Sequence, residues 1–82
     1  MKNGFEKTYP YLYLYVNYQG WLEIGPDEHY NSWVRILDEG GMHLELDEGS
    51  LDESLNKAEE WAKDFMSQHY AKEVKERLGK KG

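Results

Sequence analysis

The sequence contains no cysteine. Disulfides and thiolate metal sites are thereby excluded, and the usage suits a reducing cytoplasm. It also has no apolar run of the roughly 18 residues that a membrane-spanning helix requires. The opening stretch, MKNGFEKTYP, lacks the apolar core of a secretory signal. Positive charge is scarce in residues 1–50, where Lys2, Lys7 and Arg35 face nine acids, a net of −6. Residues 51–82 are balanced, with seven bases and seven acids, and the bases gather in residues 71–82. Nucleic-acid binding draws most of its affinity from Lys and Arg on phosphates. An acidic body with one Arg on its strand-like segments argues against that function. The 82 residues suffice for one small domain. A domain of that size buries a limited fraction of its surface and gains from a partner subunit.

What the chain has in quantity is aromatic side chains, at 15 % of residues. The segment YPYLYLYVNY places tyrosines at 9, 11, 13 and 15, with Leu12, Leu14 and Val16 between them. Such alternation is the period of a strand. Three further strand-like segments follow: Trp21–Ile24, Ser32–Asp38 and Met42–Asp47. Gly20 suits a tight hairpin between the first two, GPDEHYN at 25–31 is a polar loop, and Gly40-Gly41 suits a second hairpin. Short connections imply antiparallel neighbours in a meander.

A helix then begins at a capping box, SLDE at 50–53, with Ser50 as N-cap and Glu53 three residues on. Leu51, Leu55, Ala58, Ala62, Phe65 and Met66 form its apolar stripe. Tyr70, Val74 and Leu78 recur every four residues and drift away from that stripe. A straight helix over 51–78 would measure about 42 Å, against about 23 Å for a seven-residue strand. The sequence thus predicts an α+β fold, ββββα: a four-stranded antiparallel meander with one long C-terminal helix packed on one face. Residues 1–8 are expected as a flexible N-terminus, 9–70 as the domain, and 71–82 as a basic helical extension or frayed tail.

Alternation sorts these four segments into two faces. Leu12, Leu14, Val16, Leu22, Ile24, Val34, Ile36, Met42, Leu44 and Leu46 form an aliphatic face for the helix to cover. Tyr11, Tyr13, Tyr15, Trp21, Trp33, Arg35, Leu37 and His43 share the other face with Glu23 and Glu45. One helix covers one face, so the aromatic face is expected to be bare. Tyr, Trp and Arg are the residue types enriched at protein interfaces. The expected role is therefore a non-enzymatic cytoplasmic module. Its aromatic face would contact a protein partner or a second copy, with no nucleic acid and no membrane as partner. The competing reading is that cross-strand aromatic pairs simply stabilise a thin sheet.

Sites for chemistry are sparse. His29, His43 and His69 fall on a loop, a strand and a helix, and none has a recognised spacing to a nucleophile. His43 beside Glu45 and Glu23 is the one conceivable proton-transfer group. The acids of PDEH (26–29) and LDEGG (37–41) read as solvated turn residues, since calcium-loop spacing is absent. No catalytic, cofactor or metal site is expected, and no cofactor is implied.

Two resemblances attach to these residues. The motifs GWLEIG (20–25), SWVRILDEGG (32–41) and SLDESLNKAEEW (50–61) resemble a family of short, uncharacterised bacterial proteins. That family shares W-x-E-I-G and S-x-V-R-x-L-D-E-G-G motifs, and the likeness, over roughly residues 11–66, implies a fold without an activity. The sheet followed by SLDESLNKAEEW is also similar to the N-terminal domains of HicB-type antitoxins. This second resemblance implies an alternative role as an acidic toxin-neutralising inhibitor.

Overall fold

The computed structural model describes residues 4–25, 32–47 and 49–78. Two helices lead, α1 (Gly4–Thr8) and α2 (Pro10–Tyr18). Three strands follow, β1 (Trp21–Ile24), β2 (Val34–Asp38) and β3 (Gly41–Leu46). Two more helices, α3 (Leu51–His69) and α4 (Ala71–Arg77), close the fold. It is an α+β fold, but the expected four-stranded meander is wrong. The first expected strand, residues 9–17, lies almost wholly within α2, and among the described residues the sheet is β1-β2-β3, antiparallel throughout.

The tyrosine segment is helical for reasons that its alternation conceals. Pro10 stands at the first helical position, where a missing N–H costs nothing. The N-cap residue, Tyr9, supplies no side-chain cap. Glu59 of α3 takes that role from across the fold, accepting the N–H groups of Tyr11 and Leu12, each at 2.9 Å. The helix also touches α1, α3 and β1. Leu12, Leu14 and Tyr15 are all buried. The helix is apolar on its exposed side too, with Val16 and Tyr18 in solvent beside the buried Leu12, Leu14 and Tyr15, so it carries no 3.6-residue period to detect.

Gly20 joins α2 to β1. A Cβ there would lie 2.0 Å from the Leu37 carbonyl oxygen, so the glycine permits a close backbone approach. It does not serve as the expected hairpin residue. The second expected hairpin is present: β2 turns through Glu39 and Gly40 into β3, and Gly41 has φ +122°. The sheet register pairs Trp21, Leu22, Glu23 and Ile24 with Leu37, Ile36, Arg35 and Val34. Across β2 and β3, Val34, Arg35, Ile36 and Leu37 pair with Leu46, Glu45, Leu44 and Met42. A bulge between Ile36 and Leu37 makes His43 the additional residue of β3.

Ser50 caps α3 as its sequence indicates, its Oγ accepting the Glu53 N–H at 3.2 Å. Leu55, Ala58, Ala62 and Met66 are buried in one cluster with Val34, Ile36 and the buried residues of α2. Burying a side chain the size of Ile36 contributes about 1.5–3 kcal/mol. The helix breaks at Tyr70, whose φ of −134° and ψ of 42° are not helical. That break re-aims the chain, so Tyr70, Val74 and Leu78 all pack against the core. At the other end Phe5 of α1 packs against it too.

Candidate functional site

The face of the sheet away from α3 is organised in rows by the strand register. The first row is Trp21–Leu37–Met42 and the second is Glu23–Arg35–Glu45. Trp33 stands at a bend immediately before β2. Its carbonyl accepts the Gly25 N–H at 2.7 Å and its N–H donates to the Leu46 carbonyl at 2.8 Å, so its two backbone groups reach opposite neighbours and regular strand alternation stops at Val34. Trp21, Trp33 and Met42 are 43 %, 38 % and 39 % exposed.

Arg35 organises the middle row. It is 3 % exposed. Its Nε donates to Glu23 Oε1 at 3.2 Å, and one terminal nitrogen donates to the Ser32 carbonyl at 2.9 Å and the Ser32 hydroxyl at 3.2 Å. The other terminal nitrogen donates to the Gly25 carbonyl at 2.9 Å. Ser32 Oγ in turn donates to Glu45 Oε2 at 3.0 Å. The guanidinium is thus engaged with groups of its own chain. Glu23 also accepts from the Trp21 indole N–H at 3.3 Å, which sets that ring beside the carboxylate.

Of the eight residues assigned to this face from the sequence, Trp21, Arg35 and Leu37 are on it, and Trp33 lies at the bend before β2. Tyr11, Tyr13 and Tyr15 are not, because α2 is a helix. Tyr11 and Tyr13 are half-buried on α2, and Tyr15 is in the core. His43 is not on it either. The bulge puts Met42 opposite Leu37 and leaves the His43 ring 5.9 Å from Trp61 and 6.0 Å from Phe65 of α3. Met42, assigned to the aliphatic side by strict alternation, takes its place on the open face. His29 and the acids of PDEH lie outside the described residues.

A second constellation forms on the helix side. His43 Nε2 lies 2.7 Å from Asp38 Oδ2. The same oxygen accepts Gln19 Nε2 at 2.6 Å, and Asp38 Oδ1 accepts the Gly40 N–H at 2.8 Å. Tyr70 Oη completes the string by donating to Gln19 Oε1 at 2.6 Å. These bonds, first among them the one to His43 and next that to Gln19, hold the Asp38 carboxyl below the usual range. Tyr15 Oη donates to the Leu37 carbonyl at 2.9 Å. Burial, with Asp38 and Tyr70 nearby, pushes its phenol up to about 12. Tyr15 packs edge-on against Trp61 and Phe65, and those two rings stack on each other. The string thus ties the end of α2, the β2–β3 turn and the α3–α4 junction together. Asp38 replaces Glu45 and Glu23 as the carboxylate partner of His43. Sequence reasoning had no signal for it, since Gln19, Asp38 and Tyr70 sit on three separate elements.

An aspartate that fixes one imidazole nitrogen leaves the other for proton transfer, the geometry of a general base. Catalysis also requires a concavity that holds a substrate. Among the described residues there is no cavity, and no group of three or more potential ligands could hold a metal ion. Among them, too, no helix is long and apolar enough to cross a membrane. The chain matches no protein-family model, no curated protein and no solved structure.

Proposed function

We propose that the chain is a small, non-enzymatic contact module that uses the open sheet face to bind protein. One observation carries the reading: Trp21 and Met42, both more than a third exposed, stand in one row of the sheet with Leu37, and Trp33, also more than a third exposed, lies at the bend just before β2. Scattered surface hydrophobes are ordinary, but large apolar groups collected on one face mark an interaction surface. Arg35 and Glu23 lock that face from within, so its rings are presented on a rigid element. Rigid presentation lowers the ordering cost of binding. A cysteine-free chain of this kind suits a reducing cytoplasm.

The test pairs the wild type with the double variant Trp21→Ser, Trp33→Ser. Native co-purification and sedimentation at micromolar and millimolar concentration are run on both. A complex, with another protein or a second copy, that forms with the wild type and is lost in the folded double variant supports the reading. Identical behaviour of the two chains sinks it.

A further inference from the structure

We infer that α4 is an exchangeable arm: α3 and α4 straighten into one helix through Tyr70, and two copies of this chain dimerise by each seating its α4 on the core of the other. The inference goes beyond the contact role proposed above and involves none of Trp21, Trp33 and Met42.

Its first ground is a helix break with no local cause. Sharp breaks normally fall at proline, at glycine–serine pairs or at an inserted group. Residues 63–78, KDFMSQHYAKEVKERL, contain neither proline nor glycine. Ala71, Lys72 and Glu73, directly after the break, are strong helix formers. Yet Tyr70 stands at φ −134° and ψ 42° between α3 and α4. The Tyr70 N–H still donates to the Met66 carbonyl at 2.7 Å, and the Val74 N–H donates to the Tyr70 carbonyl at 2.9 Å. Regular bonding thus runs up to Tyr70 and resumes from it, so one residue makes the corner. A helix that starts at Ala71 leaves the N–H groups of Ala71, Lys72 and Glu73 without acceptors in their own helix, and Tyr70 supplies no side-chain cap. Straightening would return them to the carbonyls of Ser67, Gln68 and His69.

The second ground is what holds the corner. The Tyr70 ring stacks on Tyr18, with centroids 5.9 Å apart, and its hydroxyl donates to Gln19 Oε1 at 2.6 Å. Beyond the corner, Val74 and Leu78 pack against the core. A straight helix over 51–78 would carry these two away from it. The vacated seat of one copy and the freed arm of another are complementary, because the same surfaces meet in the closed chain. Exchange of an identical element is a low-cost route to a dimer. Here it keeps the contacts of Val74 and Leu78 and gains the straight-helix bonds. It gives up the Tyr70 latch, which only the closed chain makes. Association also costs translational and rotational freedom, so the closed monomer holds at low concentration and the exchanged dimer forms at high concentration.

The test equilibrates the full chain and its hinge variants from micromolar to millimolar concentration and reads their size by sedimentation. The wild type should dimerise towards millimolar concentration. Tyr70→Ala removes the latch and adds the best helix former, and should dimerise at least about 10-fold more tightly. Tyr70→Phe, which loses only the hydroxyl, should shift the same way by less. Ala71→Pro acts in the opposite direction. Proline is tolerated at the first position of α4 and wants a non-helical residue before it, as Tyr70 already is. Inside a straight helix it would be severely unfavourable, so the dimer should be at least about 100-fold weaker. Ala71→Gly should repeat this on a smaller scale. In NMR of mixed labelled and unlabelled copies, the methyl groups of Val74 and Leu78 should touch the core of the other copy.

The inference is overturned if the wild type and both Tyr70 variants stay monomeric at millimolar concentration. It is overturned equally by a dimer that Ala71→Pro leaves undiminished, or by one in which Val74 and Leu78 touch only their own chain. The exchanged dimer should persist in the double variant Trp21→Ser, Trp33→Ser. A dimer dispersed by that variant would support the contact role and overturn the exchange, so the two readings fail separately.

Discussion

The carboxylate of Glu59, in the middle of α3, accepts the backbone N–H of Leu12, 47 residues earlier in the chain, at 2.9 Å. With the Tyr11 N–H on its other oxygen, it caps a helix to which it does not belong. Burial is the largest influence on this group and pushes its carboxyl above the usual range, against the pull of the two N–H groups. The first prediction follows from the cap. Glu59→Ala should lower stability by about 0.5–2 kcal/mol, the worth of a helix cap. Glu59→Gln keeps one acceptor oxygen and should lose less. Urea denaturation of the three chains at pH 7 checks this, and equal stability of wild type and Glu59→Ala would dismiss the cap.

Arg35 satisfies the Gly25 and Ser32 carbonyls as well as Glu23. Arg35→Ala strands those acceptors and should cost about 1–3 kcal/mol. Arg35→Lys retains the charge without the planar fork and should recover only part of the loss. Thermal unfolding of both variants measures it.

Asp38 gives an acid-side prediction. Its folded carboxyl titrates below its unfolded value, so its contribution is present above about pH 4. That contribution fades as the pH falls through the folded value. Asp38→Asn should therefore be less stable than wild type at pH 7, and the gap should close as the pH drops below about 4. A gap that stays constant from pH 7 to pH 2 would show that the carboxylate's charge contributes nothing.

Tyr15 gives the alkaline counterpart. Its phenol titrates at about 12 in the folded chain and at about 10 when unfolded. The folded state holds its proton longer, so stability falls as the pH rises from about 10 towards 12. Tyr15→Phe should remove that part of the decline. At neutral pH it should cost about 0.5–1.5 kcal/mol for the lost bond to the Leu37 carbonyl. Absorbance at 295 nm should show that the variant lacks a late-titrating component present in the wild type.

Gly20 is required by contact. A methyl group placed there meets the Leu37 carbonyl oxygen at 2.0 Å, so the α2–β1 junction and β2 must separate. Gly20→Ala should destabilise by about 1–3 kcal/mol. Gly40→Ala, where the nearest atom lies at 3.2 Å, should cost less. Chemical denaturation of the pair decides it.

The sequence by itself determined the features whose causes are local. Ser50 and Glu53 mark the start of α3 because a cap is a contact three residues long. The stripe from Leu55 to Met66 marks its buried face, and the glycines at 40 and 41 mark the β2–β3 turn. Alternation also put Trp21, Arg35 and Leu37 on one face correctly, since strand periodicity needs no knowledge of what lies across the sheet. Only the tertiary structure decided the rest. Residues 9–17 read as a strand, and residues 10–18 fold as a helix because their cap comes from Glu59 and their buried side packs on distant elements. A bulge exchanged Met42 for His43 on the open face, a shift of one residue that alternation cannot register. Asp38, Gln19 and Tyr70 meet only after the chain has folded. In each of these cases the deciding energy lies in contacts between residues distant in sequence, and no short window of residues contains them.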